Sequence, residues 1–125
     1  MTKKIRVWFE YDVKPGCVDQ LREVAQQQLG WAEDSEPGSL AMNWYLSADE
    51  SRLCTFATEE DMDATWFHSK RQPDNPFAER FAGLVENRRM CMYGPIDEKY
   101  KELMSKAGVE IEYFEWMAGF DRQIG

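Results

Sequence analysis

The order of helices and strands is decided by residues 15–68, which read PGCVDQLREVAQQQLGWAEDSEPGSLAMNWYLSADESRLCTFATEEDMDATWFH. Pro15-Gly16 and Glu36-Pro37-Gly38 are turn signals, and the apolar residues between them recur at helical spacing. This pattern predicts a first helix from about 18 to 31. The stretch ends in a second predicted helix, which carries His68, the only histidine of the chain.

Two predicted strands lie between these helices. Residues 40–47 and 52–58 each alternate with a period of two, and a polar turn joins them. They therefore predict a β-hairpin. Residues 58–61 follow directly and supply an N-cap and an acidic first turn for the second helix.

A further strand is predicted before this stretch, at residues 5–13, and its two faces differ. The apolar face, which we predict packs on helices, carries Ile5, Val7, Phe9, Tyr11 and Val13. The other face carries Arg6, Trp8, Glu10 and Asp12. Because a tryptophan among polar neighbours suits a cavity wall better than open solvent, we predict a cavity or a subunit seam on that second face.

The chain continues after Pro73 and Pro76, which end the second helix. A helical segment at 77–86 and a strand at 87–93 complete the order βαββαβ. This order predicts an α+β protein with a ferredoxin-like antiparallel sheet.

The last part of the chain, residues 94–122, predicts a helix and then a strand at 109–117, and both extend this core. We expect a single domain over residues 1–125, made of the core at 1–93 and this C-terminal arm. An amphipathic arm needs a surface to cover, and either a neighbouring subunit or the sheet edge of the same chain would serve.

Composition limits the classes of function. A net charge of −8 with scattered basic residues argues against nucleic acid as a partner. No apolar run approaches membrane-spanning length, and no charged-then-apolar leader opens the chain, so we expect a cytoplasmic protein that does not bind a membrane.

Metal, nucleotide and disulfide chemistry have no support in the residue spacing. Cys17, Cys54 and Cys91 are far apart in sequence, which favours reduced thiols. One histidine without a ligand-spaced cluster argues against a transition-metal site. No glycine-rich loop has phosphate-binding spacing. We therefore expect no metal and no cofactor.

Five features occur in a fixed order along the chain: Pro15-Gly16, Glu36-Pro37-Gly38, the helix pattern of Asp61, Ala64 and His68, the segment Tyr93-Gly94-Pro95, and the tail at 118–122. In these motifs the chain resembles the antibiotic biosynthesis monooxygenase family of dimeric α+β barrels, over roughly residues 5–122. Many members place a glutamate, and an aromatic residue two positions later, just before that helix. This chain has Ala57 and Glu59 there.

The resemblance implies a cofactor-independent oxidation in which a deprotonated phenolic substrate itself reduces dioxygen. Such a reaction needs a base, a donor for the developing oxyanion and aromatic walls. His68 could be the base, and Asn43 or Arg6 could hold the phenolate oxygen. The candidate substrate-binding residues are Trp8, Trp44, Trp66, Tyr45 and Thr55.

Most of these residues also have a structural interpretation. Trp44 and Trp66 have the spacing of core residues, and His68 could make a hydrogen bond at the surface or at an interface. Asn43 could face solvent, and Arg6 could pair with a neighbouring carboxylate.

Three functions therefore remain open. The first is a homodimeric monooxygenase that oxidises a small aromatic, quinol-like or polyketide-like molecule. The second is a non-catalytic protein, for ligand binding or stress response, that uses the same cavity. The third is a structural assembly module. We expect a homodimer because helices on one side of a sheet leave its other face uncovered.

Overall fold

A computed structural model describes residues 2–122 of the chain. The strands and helices, in chain order, are β1 (Ile5–Val13), α1 (Val18–Ser35), β2 (Ser39–Leu46), β3 (Arg52–Glu59), α2 (Met62–Arg71), α3 (Ala78–Ala82), β4 (Val85–Tyr93), α4 (Glu98–Lys106) and β5 (Glu112–Phe114). A 3-10 turn at Gln72–Asp74 follows α2.

The strands form one sheet in the order β2-β3-β1-β4-β5. The first four strands pair antiparallel, and β5 adds to the edge of β4 in parallel. This arrangement confirms the predicted ferredoxin-like α+β fold. The added strand makes the sheet mixed, because a strand–helix–strand connection returns the chain in the same direction.

The period-two alternation of the strands separates the sheet into two faces. The inner face packs on the helices and includes the buried residues Val7, Leu53 and Met92. The outer face carries exposed aromatic side chains instead, among them Tyr45 and Phe56. The apolar face of β1 therefore packs on helices, as its pattern predicts.

The structure corrects several predicted boundaries. Helix α1 continues to Ser35, and β5 is limited to three residues. Strand β3 extends to Glu59, since Thr58 and Glu59 both pair with β1. The N-cap of α2 is consequently Asp61, whose side chain accepts a hydrogen bond from the Ala64 amide at 2.8 Å.

The C-terminal arm covers the part of the inner face around Val7 and Met92, and one edge of its own sheet. Two hydrogen bonds tie α4 to α2: Trp66 Nε1 donates to Asp97 Oδ2 at 2.9 Å, and Ser69 Oγ lies 2.8 Å from Tyr100 Oη. Of the two predicted surfaces, the arm therefore covers the sheet edge of its own chain. It also contributes Tyr100, Met104 and Val109 to the wall of a cavity.

Within the described residues, none of the helices combines the length and the apolar character needed to cross a membrane.

Candidate functional site

A cavity of about 410 Å³ lies between the inner face of the sheet and the helices. Its floor consists of two rows that cross four strands. The rows are Trp44, Thr55, Phe9 and Met90, and Met42, Ala57, Val7 and Met92. The helices contribute polar side chains, including Gln28, His68 and Gln72. The sheet side of the cavity is thus apolar and aromatic, and the helix side is partly polar. Small-molecule sites usually combine such walls.

The Glu36-Pro37-Gly38 turn lies against α2 at two points one helical turn apart. A Cβ atom built on Gly38 would lie 2.6 Å from the Cβ of Ala64, so only glycine allows this approach. Four residues further along α2, His68 lies beside Glu36. Residues i and i+4 lie on the same face of a helix, so Ala64 and His68 both face the Glu36-Pro37-Gly38 turn.

The His68–Glu36 contact is the central polar interaction of the site. The Nδ1 atom of His68 lies 2.5 Å from Oε1 of Glu36, and only 1% of the Glu36 side chain is exposed. An Nδ1–H that donates to this carboxylate leaves Nε2 as the acceptor of a neutral imidazole. The amide nitrogen of Gln72 lies 3.4 Å from this Nε2 and can donate a long hydrogen bond to it.

Burial and charge act in opposite directions on His68. Burial lowers its pKa, whereas the hydrogen bond that it donates to Glu36 and the charge of that carboxylate raise it. The net effect is a raised pKa of His68. An imidazole of this kind takes up a proton more readily than a free histidine. His68 therefore has the geometry and the basicity of a general base.

A second buried carboxyl group, that of Glu59, extends this network. Ser39 Oγ lies 2.7 Å from Oε2 of Glu59 and 3.2 Å from Oε1 of Glu36. Glu59 is 1% exposed and lines the cavity. Its burial raises its pKa, and the charge of Glu36 adds to this effect, whereas Ser39 and His68 oppose it.

Arg71 holds the other side of Glu36. Its guanidinium lies 4.3 Å from the centre of the Trp31 ring, and Nε lies 4.0 Å from Oε2 of Glu36. Nη1 donates to the Ser35 carbonyl at 2.9 Å. The end of α1 is therefore bound to α2 beside the site.

The cavity brings together three of the residues that the sequence predicts for the site: Trp44, Thr55 and His68. Trp66 packs edge-on against Tyr100 at 5.0 Å and bonds Asp97 outside the cavity.

The other predicted residues, Arg6, Trp8, Asn43 and Tyr45, lie on the outer face of the sheet. Asn43 and Trp8 both pair with Phe56, which is adjacent in sequence to Thr55 of the cavity floor. Successive residues of a strand point to opposite faces, so these side chains point away from the cavity. Arg6 Nη2 donates to Asp121 Oδ1 at 2.8 Å. The cavity forms on the helix-covered face of β1 rather than on the face with Trp8, because only the helices supply a second wall.

Three polar groups of the site were not predicted from the sequence: the carboxyl groups of Glu36 and Glu59 and the hydroxyl group of Ser39. A signal for Glu59 exists, because it continues the alternation of Leu53, Thr55 and Ala57 and must share their inner face. No comparable signal pairs Glu36 with His68, which are 32 residues apart.

A metal has no evident ligand set, since residues 2–122 contain no group of three His, Cys, Asp or Glu side chains placed to hold one.

Comparison with known proteins identifies solved structures that have the same fold. No family model matches the sequence, and no curated protein matches it either. Among solved structures, MupZ from Pseudomonas fluorescens aligns with a TM-score of 0.79 at 14% identity, over 97% of this chain and 96% of its own.

Two further structures align over about three quarters of the chain. SnoaB from Streptomyces nogalater, named a cofactor-independent oxygenase, has a TM-score of 0.63 at 14% identity, over 73% of this chain and 91% of its own. A protein from Nitrosomonas europaea, provisionally named an antibiotic biosynthesis monooxygenase, has a TM-score of 0.66 at 16% identity, over 78% and 95%. The predicted resemblance is therefore confirmed for the fold, which this chain shares with structures named antibiotic biosynthesis monooxygenases.

Proposed function

We propose that the protein is a cofactor-independent monooxygenase that oxidises a small aromatic molecule, quinol-like or polyketide-like, with dioxygen. The observation that carries the proposal is the His68–Glu36 pair at the wall of an aromatic cavity. A base next to an apolar pocket suits the deprotonation of a phenol or of an activated methylene group. The name of SnoaB, a structural neighbour, points to the same chemistry.

The reaction balances without a metal or a flavin. Nε2 of His68 takes a proton from the substrate, and the resulting electron-rich anion transfers electrons to dioxygen and forms a C–O bond. The peroxide anion is protonated and then loses water as its O–O bond breaks and a second C–H proton leaves. Overall a CH₂ group and O₂ become C=O and H₂O, so the substrate is oxidised and dioxygen is reduced.

The cavity suits a planar ring. Its volume of about 410 Å³ exceeds that of a single ring and matches small-molecule sites in general. Trp44 and Phe9 lie on one row of the floor, where they can stack against the substrate, and Thr55 between them offers a hydroxyl group.

Oxygen uptake with a panel of hydroquinones and anthrones tests this proposal. Wild-type protein should consume oxygen in proportion to the product formed, and His68→Gln should reduce the rate about 100-fold or more. Asp63→Asn, an exposed position on the same helix, is the control and should retain the rate. Ligand binding without oxygen uptake would instead support the alternative function, a non-catalytic ligand-binding protein.

We also propose that two copies of the chain pack through the outer face of the sheet. This face carries two aromatic pairs, Tyr45 with Phe56 and Tyr93 with Phe114, whose side chains are 37–57% exposed. A two-fold axis would bury the same patch on both copies. In such a dimer Arg6, Trp8, Asn43 and Tyr45 would lie at the seam.

A further inference from the structure

Two buried carboxyl groups compete for one hydroxyl proton beside the cavity. Glu36 and Glu59 are each 1% exposed, and the Ser39 hydroxyl lies between them. Ser39 has a single proton and can donate to only one of the two. Two carboxylates this close and this buried do not both carry a charge without compensation.

The surroundings of the two groups differ, and the difference decides which of them is neutral. Glu36 has His68 at 2.5 Å and Arg71 at 4.0 Å. For Glu59, no ion pair occurs with any residue in the range 2–122. The titratable groups that act on it are Glu36 from the turn, His68 from α2 and Tyr100 from α4. Of the two carboxyl groups, Glu36 is therefore the one whose negative charge is compensated, by Arg71 and by the Nδ1–H of His68.

The distances favour one direction for these hydrogen bonds. The charged Glu36 accepts from His68, and the Ser39 hydroxyl donates to Oε2 of Glu59, the nearer of its two partners. The carboxyl proton of Glu59 then lies on Oε1, which is buried and has no hydrogen-bond partner within residues 2–122. Because Glu59 lines the cavity, a ligand bound there can supply this partner.

We infer that Glu59 is held as a carboxylic acid and is the proton donor of the cavity, directed at an oxygen of the bound ligand. The ligand class is then an aromatic ring that carries a carbonyl oxygen as well as an ionisable group. The cavity would hold a base at His68 and an acid at Glu59, joined through Glu36 and Ser39.

The consequence for catalysis rests on the proposed function. The peroxide anion formed from the substrate and dioxygen takes the proton of Glu59, so an O–H bond forms and Glu59 becomes a carboxylate. His68 holds the proton that it took from the substrate as an imidazolium, with Nδ1–H still on Glu36. After the ketone and water leave, His68 releases one proton and Glu59 takes up one, so both groups return to their starting forms.

Infrared spectroscopy of the protein tests the protonation of Glu59 directly. At pH 7 wild-type protein should show the carbonyl stretch of a protonated carboxylic acid, which should be missing in Glu59→Gln and retained in Glu60→Gln, the adjacent exposed position. Addition of a hydroxyanthraquinone should shift this band, because Oε1 gains a partner. A matching hydroxyanthracene, which lacks the carbonyl group, should shift it less. An absent band, or one that the hydroxyanthraquinone leaves unshifted, overturns the inference.

Turnover separates this inference from the proposed function. If wild-type protein oxidises a panel substrate, Glu59→Gln should lower kcat about 100-fold and change the Kd of the hydroxyanthraquinone less than about threefold, because glutamine keeps a hydrogen bond but supplies no proton. A Glu59→Gln variant with wild-type kcat overturns the role of Glu59. If wild-type protein oxidises nothing, the proposed function fails, and the infrared band alone decides whether Glu59 is an acid that contacts ligand.

Discussion

Ala64 occupies the space that a side chain on Gly38 would need, with its Cβ 2.6 Å from the position of such a Cβ atom. This close approach places the turn before β2 against the first part of α2. One helical turn later the same face of α2 presents His68 to Glu36. The packing of a glycine on an alanine thus sets the geometry of the candidate base.

We predict opposite effects for alanine at two glycines. Gly38→Ala should lower the free energy of unfolding by about 1–3 kcal/mol, because either the turn or α2 must move. Gly30→Ala should raise it by up to about 1 kcal/mol, since Gly30 lies within α1 with no atom in reach of a new Cβ. Urea unfolding of both variants measures this. Equal stabilities would contradict the packing described above.

The pKa of His68 is expected to depend on Glu36. It should lie above the usual value of about 6.5 in wild-type protein and fall in Glu36→Gln, where burial remains and the opposing charge is lost. Because His68 is the only histidine, an NMR titration reports on it without ambiguity. The exposed Glu33→Gln is the control, and a pKa that is the same in all three proteins would refute the prediction.

This shift has a consequence for the pH dependence of activity. A general base must be neutral to accept a proton, so kcat/KM of the wild-type protein should rise with pH through the raised pKa of His68. In Glu36→Gln the rising part of the profile should move to lower pH, with a lower maximum because His68 loses its orientation. Steady-state rates between pH 5 and about 9 check this.

Stability should depend on pH through Glu59. Its pKa is raised in the folded protein, so the folded state binds the proton more tightly than the unfolded state does. This contribution is complete below the unfolded value of 4.5 and is lost as pH rises through the folded pKa. Compared with Glu59→Gln, wild-type protein should therefore become relatively less stable as pH rises above 4.5.

Thermal unfolding at a series of pH values measures this difference. Glu60→Gln should follow the wild-type curve, because Glu60 is exposed. A difference between wild-type protein and Glu59→Gln that does not change with pH would mean that Glu59 titrates like an exposed glutamate.

The proposed dimer predicts different results for two exposed phenylalanines. Phe56, 49% exposed on the outer face, should not tolerate lysine at a two-fold interface, and Phe56→Lys should convert a dimer into a monomer. Phe67, 48% exposed on α2, lies on the helix side, so Phe67→Lys should leave the dimer intact. Analytical ultracentrifugation at micromolar concentration distinguishes these outcomes. Wild-type protein that sediments as a monomer would rule out the dimer.

Local patterns were enough to predict the fold. The alternation in β1 and in the β2–β3 hairpin, and the turn residues around α1, depend on neighbours close in sequence. They predict the element order βαββαβ, and they identify His68 as the one imidazole available for chemistry. They also predict that the apolar face of β1 packs on helices.

Tertiary structure decided where the cavity lies and which groups meet there. Alternation separates the two faces of a strand but does not say where a helix layer leaves a gap, so the sequence favoured the face with Trp8 over the face with Phe9. The pairing of Glu36 with His68, and of Ser39 with Glu59, joins residues 32 and 20 positions apart. Such contacts depend on how α2 packs across the turn and the sheet, which no local spacing encodes.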